Sequence, residues 1–507
     1  MPTTAQMLAS YPDVLIQVIA ELRGAFLDAA DNREEAIELV AAQITEPTST
    51  QFAYQEVIDY SKESTKAFEL LLREGGQMVE AHFAREYGSI RQMGPAKLER
   101  ESPWLYPENV AELLYYYGLL GRGIKGTGGN AHTTVYLPSD VIPWLPQPQG
   151  ESSEGGLAIQ PIPPPPASRT IPADDSFLED MGTFLGFLRS DTLRLNGDGP
   201  NAEDMDRFVQ RLQLPFGGAS PELNVRLALL LHLANRLGWL RRGEGSTVHI
   251  TGDAVRSFLE SPRPEQFFRL WDTWCQSTEW NDLCRTPSLE CTETGGWKNN
   301  PWQTRKAALN LFAGLQPGFW YSVSDFVDLV QKEEPDFQRP NGNYDLWYIR
   351  DAQTQEFLKG FEHWRDVEGA LLRFYIMGPM HWLSAIDLAE PSAGDDMQFA
   401  LSQYGAKWLG HDVTLLHEQR RRPMIVGEDF TITMPNGFPL SDRFRVERFA
   451  QWQASYPQYV YQINKRSLTQ AAEVAIRTSQ ILDFLKRTAR QVPPEVVVAL
   501  EKFDLIQ

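Results

Sequence analysis

Apolar residues return every third or fourth position through much of this chain, interrupted by short runs in which they alternate. The first spacing marks helices with one buried face, and the second marks strands. Residues 64–73 form such a helix, closed by Gly75-Gly76, and 79–87 a second, ended by Gly88. A third spans 107–117, opened by Pro107. The glycine-rich stretch 121–129 then reads as a hairpin, because glycine permits the positive φ of tight turns, with 133–137 as its return strand. The same order recurs. Helices at 176–188, 202–212 and 223–240 lead to a turn at 241–245 and a strand at 246–250. A third series has helices at 304–312, 322–332 and 366–376, then a segment around Trp382 and the phrase 399–409.

Three helices followed by a two-stranded ribbon describe a winged helix, so three tandem units are expected, a repeat of architecture without repetition of letters. The phrase 399–409 resembles the closing element of winged-helix units in bacterial helicase-associated proteins, with Ser402 where threonine is usual. Before the first unit, 13–28 and 33–44 read as helices of an N-terminal cap. Residues 146–173 are first polar and Gly/Ser-rich, then polyproline, and are expected to form an extended or disordered spacer. The expected division is a cap at 1–50, winged-helix units at 51–145, 174–262 and 303–419, and a Trp-rich connection at 263–302. A C-terminal domain fills 420–507.

That last domain carries a resemblance. Residues 424–434 alternate as a strand, and 443–454 read as a helix. Then come Tyr459 to Ala472, with the phrase Tyr461-Gln-Ile-Asn-Lys-Arg-Ser-Leu468, a helical run 481–485, and Val492-Pro-Pro494. This order resembles the N-terminal domain of XPB-type DNA helicases and its relatives in bacterial helicase-associated proteins. Asn464 stands where the family phrase has threonine. The resemblance covers about a fifth of the chain, and it implies a role beside a helicase, contacting DNA and presenting it to the motor. The expected fold class is therefore mainly α with small β (α+β): tandem winged helices ending in an XPB-N-like α/β domain.

Charge complicates that picture. The formal net charge of −20 opposes general attraction to phosphate, so any hold on DNA must be local. The distribution is uneven: residues 1–60 carry ten acidic side chains against Arg23 and Arg33, whereas from Arg420 onward thirteen basic residues outnumber nine acidic ones. Such asymmetry fits one binding end and one protein-binding or inert end. No stretch of eighteen apolar residues occurs, so no membrane partner is expected. The N-terminus lacks a secretory pattern, and Cys275, Cys284 and Cys291 cannot all pair. Free structural thiols in a reducing cytoplasm are expected, without zinc, since no C-x-x-C pair occurs.

A nucleotide motor needs a glycine-rich loop followed by Lys and Ser/Thr, and no Gly-Lys-Ser/Thr triplet occurs. The eight histidines make no H-x-x-x-H pair, and no Gly-x-Ser-x-Gly elbow is present. His381 and His411 have no evident base partner and are read as structural or surface groups. Glu428 and Asp429, adjacent on an alternating strand, point to opposite faces. No enzyme and no cofactor are expected. Binding features are better represented. Wing positions carry Arg122 and Lys125 in the first unit and Arg241 and Arg242 in the second; Arg226, His232 and Arg236 lie along the second unit's third helix. Arg420, Arg421 and Arg422 precede the C-terminal domain, and Lys465 and Arg466 interrupt its phrase. Long cationic side chains at loop tips reach backbone phosphates. The first unit's third helix has no Arg or Lys, which suits protein contact. Trp271, Trp274, Trp280, Trp297 and Trp302 lie among Asp272, Glu279, Asp282, Glu290 and Glu293, so packing is favoured over base stacking. The expectation is a non-catalytic DNA-binding accessory of duplex or forked DNA, partnered with a separately encoded helicase. An acidic protein-interaction scaffold and a transcriptional regulator are the alternatives.

Overall fold

The computed structural model describes residues 1–125, 132–146, 159–173, 175–196, 199–212, 221–292, 299–339, 342–391, 396–415 and 423–504. It is a mixed α and β structure in two compact units, one of residues 1–155 with 339–345, the other of 156–338 with 346–507.

The first unit is built on one core, which runs from Met7 and Leu8 to Val141 and Leu145. The N-terminal helices, expected as a cap on the first unit, contribute to this core. Asp13–Arg23 ends at Gly24, whose φ of 68° turns the chain. Arg33–Thr45 starts on Asn32, which accepts a hydrogen bond from the Glu35 amide. Next come helix Glu63–Arg73, strand Gln77–Val79, helix Glu80–Tyr87, helix Val110–Tyr116 and strands Gly121–Lys125 and His132–Tyr136. The last strand lies in the middle of an antiparallel sheet, between the other two. The three-residue strand before the second helix escapes a reading by periodicity, since it shows no alternation of burial. Tips of the hairpin at 126–131 lie outside the described residues.

The second unit uses the same order twice more. Helix Ser176–Ser190, strand Leu193–Asn196, helices Ala202–Val209 and Pro221–Arg236, and strands Leu240–Arg242 and Thr247–Ile250 form one set. Helix Pro301–Ala313, strand Trp320–Ser322, helix Val323–Glu333, helix Ala370–Tyr375, and strands Ile386–Ala389 and Gln398–Leu401 form the other. In both, the last strand pairs with the other two, as in the first unit. Helix Ala370–Tyr375 is flanked by π-helical turns Arg365–Gly369 and Ile376–Met380, the latter containing Pro379.

The expected spacer differs from expectation where it is described. Ile162 bridges Trp320, and strand Thr170–Ile171 pairs antiparallel with Leu388–Ala389. The polyproline stretch thus skirts the third sheet and adds a strand to its edge, a position that tolerates missing N–H donors. Residues 147–158 lie outside the described set.

The C-terminal region has an antiparallel sheet of Ile425–Val426, Thr431–Met434, Gln451–Ala454 and Tyr459–Gln462, in which Tyr459–Gln462 lies between the second and third of these. Two expectations are corrected here. The alternating run 424–434 is two strands, folded back at Gly427–Phe430, so Glu428 and Asp429 occupy a turn instead of a strand. Asp429 accepts from the Thr431 amide and hydroxyl. The expected helix 443–454 is a helix only over Leu440–Val446; Gln451–Ala454 is a strand, because Trp452 finds a cross-strand partner in Tyr461. Helices Lys465–Glu473, Thr478–Thr488 and Pro494–Asp504 complete the region.

Candidate nucleic-acid interface

The sequence-selected cations have diverse fates. Arg122 donates to Glu80 at 2.7 Å and is engaged inside the first unit. Lys125 is exposed. Arg226 is 3% exposed, donates to Asp180 at 2.9 Å and to Ser176 at 3.1 Å, and lies over the Phe177 ring. It reaches no surface, so the expected recognition stripe is broken: Arg226 is buried, His232 is half-buried, and only Arg236 of the three is exposed. His232 meets Ser277 at 2.8 Å, and burial lowers its pKa. Arg236 stands 3.5 Å from Glu279. Arg241 and Arg242 are exposed and make no ion pair among the described residues; they lie on an edge strand, where charge also discourages pairing with another chain. Lys465 and Arg466 are exposed in the first turn of their helix, where the dipole offers cations no support. Arg420, Arg421 and Arg422 lie outside the described residues.

All three helices in the third position of the repeat are covered. Val110–Tyr116 packs against Asp13–Arg23, and its Glu112 is fully buried, gripped by Arg91 at 2.6 and 2.7 Å. Pro221–Arg236 packs on Ser176–Ser190, on Arg263–Cys275 and on the turn Ile376–Met380 that extends the third such helix. Most of their side chains are buried or half-buried among the described residues.

Helix Ser176–Ser190 is buried on all sides from Phe177 to Leu188, and this includes two carboxylates. Glu179 accepts from Arg443 Nη1 at 2.7 Å and from Tyr459 OH at 3.2 Å, and also pairs with Arg263. Arg443 donates further to the Glu179 carbonyl at 2.6 Å and lies over the Tyr459 ring. Burial disfavours the Arg443 charge, yet Tyr459 and Glu179 hold its pKa above the ordinary value. Gly182 and Gly186 permit this approach: a Cβ at Gly182 would collide with Arg443, and one at Gly186 with Glu447. The second repeat and the C-terminal region are thereby held as one piece.

At the edge of this junction lies a cluster that single-residue reading missed. Arg189 comes from the last turn of Ser176–Ser190, Arg256 from Gly252–Glu260, Arg445 and Arg448 from the end of Leu440–Val446 and just beyond, and Arg487 from the last turn of Thr478–Thr488. Arg445 pairs with Asp442 at 2.9 Å and stands 3.5 Å from Glu260. Arg189, Arg256, Arg448 and Arg487 make no ion pair among the described residues. Burial and then the charges of Arg256 and Arg445 hold Arg448 below its ordinary pKa. Burial and then Arg448 do the same to Arg189, with Glu447 opposing. A cation at a helix C-terminus is favourable by itself, which accounts for Arg189 and Arg487 taken singly. It does not account for Arg256 in mid-helix, nor for like charges close enough to oppose one another. Between the ends of Leu440–Val446 and Thr478–Thr488 runs a shallow groove of about 450 Å³, with Arg445, Arg448 and Arg487 among its walls and Phe449, Ile481 and Phe484 below. The run Arg443-Phe-Arg-Val-Glu-Arg448 was the sequence signal; Arg189 and Arg256 join it only through folding.

The Trp-rich connection is a packing hub. Trp274 and Trp280 both donate to Asp282 Oδ1, at 3.0 and 2.9 Å, and Arg305, fully buried, donates to Asp282 Oδ2 at 2.6 Å. Trp271 stacks on Trp408. Trp297 lies outside the described residues. The thiol expectation is corrected: Cys284, in the turn Leu283–Arg285, and Cys291, at the end of strand Leu289–Cys291, form a disulfide, and only Cys275 is free. His381 Nδ1 donates to the Ile386 carbonyl at 2.8 Å, and His411 has a buried ring nitrogen without a hydrogen-bond partner. Among the described residues no group of three His, Cys, Asp or Glu side chains could hold a metal ion, and no helix is long and apolar enough to cross a membrane. No protein-family model matches the chain, and no curated protein is similar to it.

Proposed function

We propose that this protein is a non-catalytic, nucleic-acid-binding accessory, built from three winged-helix units and an XPB-N-like C-terminal domain, that holds DNA by its backbone for a separately encoded motor. The thrice-repeated helix–strand–helix–helix–strand–strand order, with the last strand central in the trio, supports the winged-helix reading. The observation that carries the functional reading is the group of Arg189, Arg256, Arg448 and Arg487, without ion-pair partners among the described residues of a chain of net charge −20. Unpaired like charges held together are stabilised by a polyanion, whose condensed counterions they release. Covered third helices favour contact with phosphates over reading of base edges, so the binding is sequence-independent.

Fluorescence anisotropy with duplex and forked DNA at low and moderate salt tests this. Arg256→Glu with Arg448→Glu is expected to weaken binding at least about tenfold and to flatten its salt dependence by about two phosphate contacts. Salt-independent binding, or an unchanged affinity in the double variant, overturns the proposal. The covered third helices also favour a second reading, a protein scaffold that uses those faces for packing. Absence of binding to any DNA form, with a co-purifying protein retained, supports it.

A further inference from the structure

The groove beside the arginine cluster has a composition that duplex DNA does not use. Its floor is apolar: Phe449, Ile481 and Phe484 are almost fully buried, and Ile476 is half-buried at one wall. Arg445, Arg448 and Arg487 stand at its walls, and Asp483 is the one carboxylate lining it. A duplex presents hydrated phosphates outward and keeps its bases stacked inside, so it can engage the arginines while leaving the floor wet. An unpaired nucleotide presents both parts at once. Its sugar and base bury against apolar surface, guanidinium planes offer a stacking partner, and its phosphates meet the same cations. The groove is open and of about 450 Å³, room for part of one nucleotide and not for a helix.

We propose that the groove between helices Leu440–Val446 and Thr478–Thr488 binds an unpaired nucleotide of single-stranded DNA, with Arg448 and Arg487 on its flanking phosphates and Ile476 against its base. This rests on the nucleic-acid reading above and names the form of DNA it concerns. Arg256 and Arg189, beyond the groove, then guide the strand as it leaves. A forked substrate supplies both a backbone for the cluster and a free strand for the groove.

The test is anisotropy of the full-length chain with three probes of equal length: a labelled oligothymidylate, a blunt duplex and inorganic polyphosphate. Wild-type protein is expected to prefer the single strand over the duplex. Ile476→Trp, which fills the groove and leaves every arginine in place, is expected to cut the single-strand to duplex affinity ratio about tenfold, the scale of one lost base contact. Asp483→Asn, an exposed change that removes the lining carboxylate, is expected to raise single-strand affinity by about twofold to fivefold. It keeps the proposal falsifiable if Ile476→Trp fails to fold, which thermal unfolding reports. A wild-type preference for duplex, or a ratio unmoved by a folded Ile476→Trp, overturns the groove assignment while the backbone reading stands. So does an affinity for the single strand unmoved by Asp483→Asn. Equal affinity for polyphosphate and oligothymidylate also overturns it, since charge alone then suffices. Failure of all three probes to bind overturns both.

Discussion

Two regions share one element order and secure it differently. In the first unit, the buried carboxylate of Glu112 is met by Arg91, twenty-one residues earlier, whose guanidinium is still partly wet. In the second, the buried carboxylate of Glu179 is met by Arg443, 264 residues later, and both side chains are 1% exposed. The first arrangement closes a local fold. The other bonds two distant stretches of chain, and it does so with charges that have lost nearly all water. Desolvation makes such a pair costly to form and costlier to break, because the surviving partner is left charged in the interior.

Breaking the long-range pair should give the largest effect. Arg443→Met leaves Glu179 with Arg263 and Tyr459 only, and a loss of about 3–5 kcal/mol is expected in thermal or denaturant unfolding. A loss below about 1 kcal/mol would mean that the glycine contacts at 182 and 186, not the ion pair, hold the junction.

The local pair should matter less. Glu112→Gln is expected to cost about 1–3 kcal/mol near neutral pH. Burial would raise the Glu112 pKa, but hydrogen bonds from Arg91 and from the Glu108 and Arg91 amides outweigh it and hold it below the ordinary value. Its folded pKa is thus lower than its unfolded one. The stability it contributes is present above the ordinary carboxylate value and is lost as pH falls through the lowered one. The gap between wild type and variant should therefore close in acid; a gap that persists there would assign the loss to packing.

The smallest effect has the opposite sign. Arg448→Ala relieves repulsion from Arg256 and Arg445 and is expected to leave stability unchanged or to raise it by about 0.5 kcal/mol, while binding of DNA falls. A clear destabilisation would make Arg448 a structural residue.

How much of this was legible depends on how far each contact reaches along the chain. Asn32, Asn109, Ser322 and Asn464 cap helices within three residues of themselves, so helix starts could be anticipated from local letters. Arg226 could not be. Helical spacing places it beside the leucine face, but that helix is packed on several sides, and the carboxylate awaiting it is forty-six residues away. The strand Gln451–Ala454 was masked by a pattern that also suits a helix until Tyr461 is brought alongside. The arginine cluster was half visible, as Arg443 to Arg448, and half not, because Arg189 and Arg256 belong to other helices.

The pairing of Thr170–Ile171 with Leu388–Ala389 has one more consequence. The residues from Ser176 to Ile250 fall between a strand and the sheet that this strand completes. These repeats are nested like parentheses rather than strung like beads. Lifting out the stretch from 301 onward as a cassette would leave strand Thr170–Ile171 without its partner and carry away a sheet short of one edge strand.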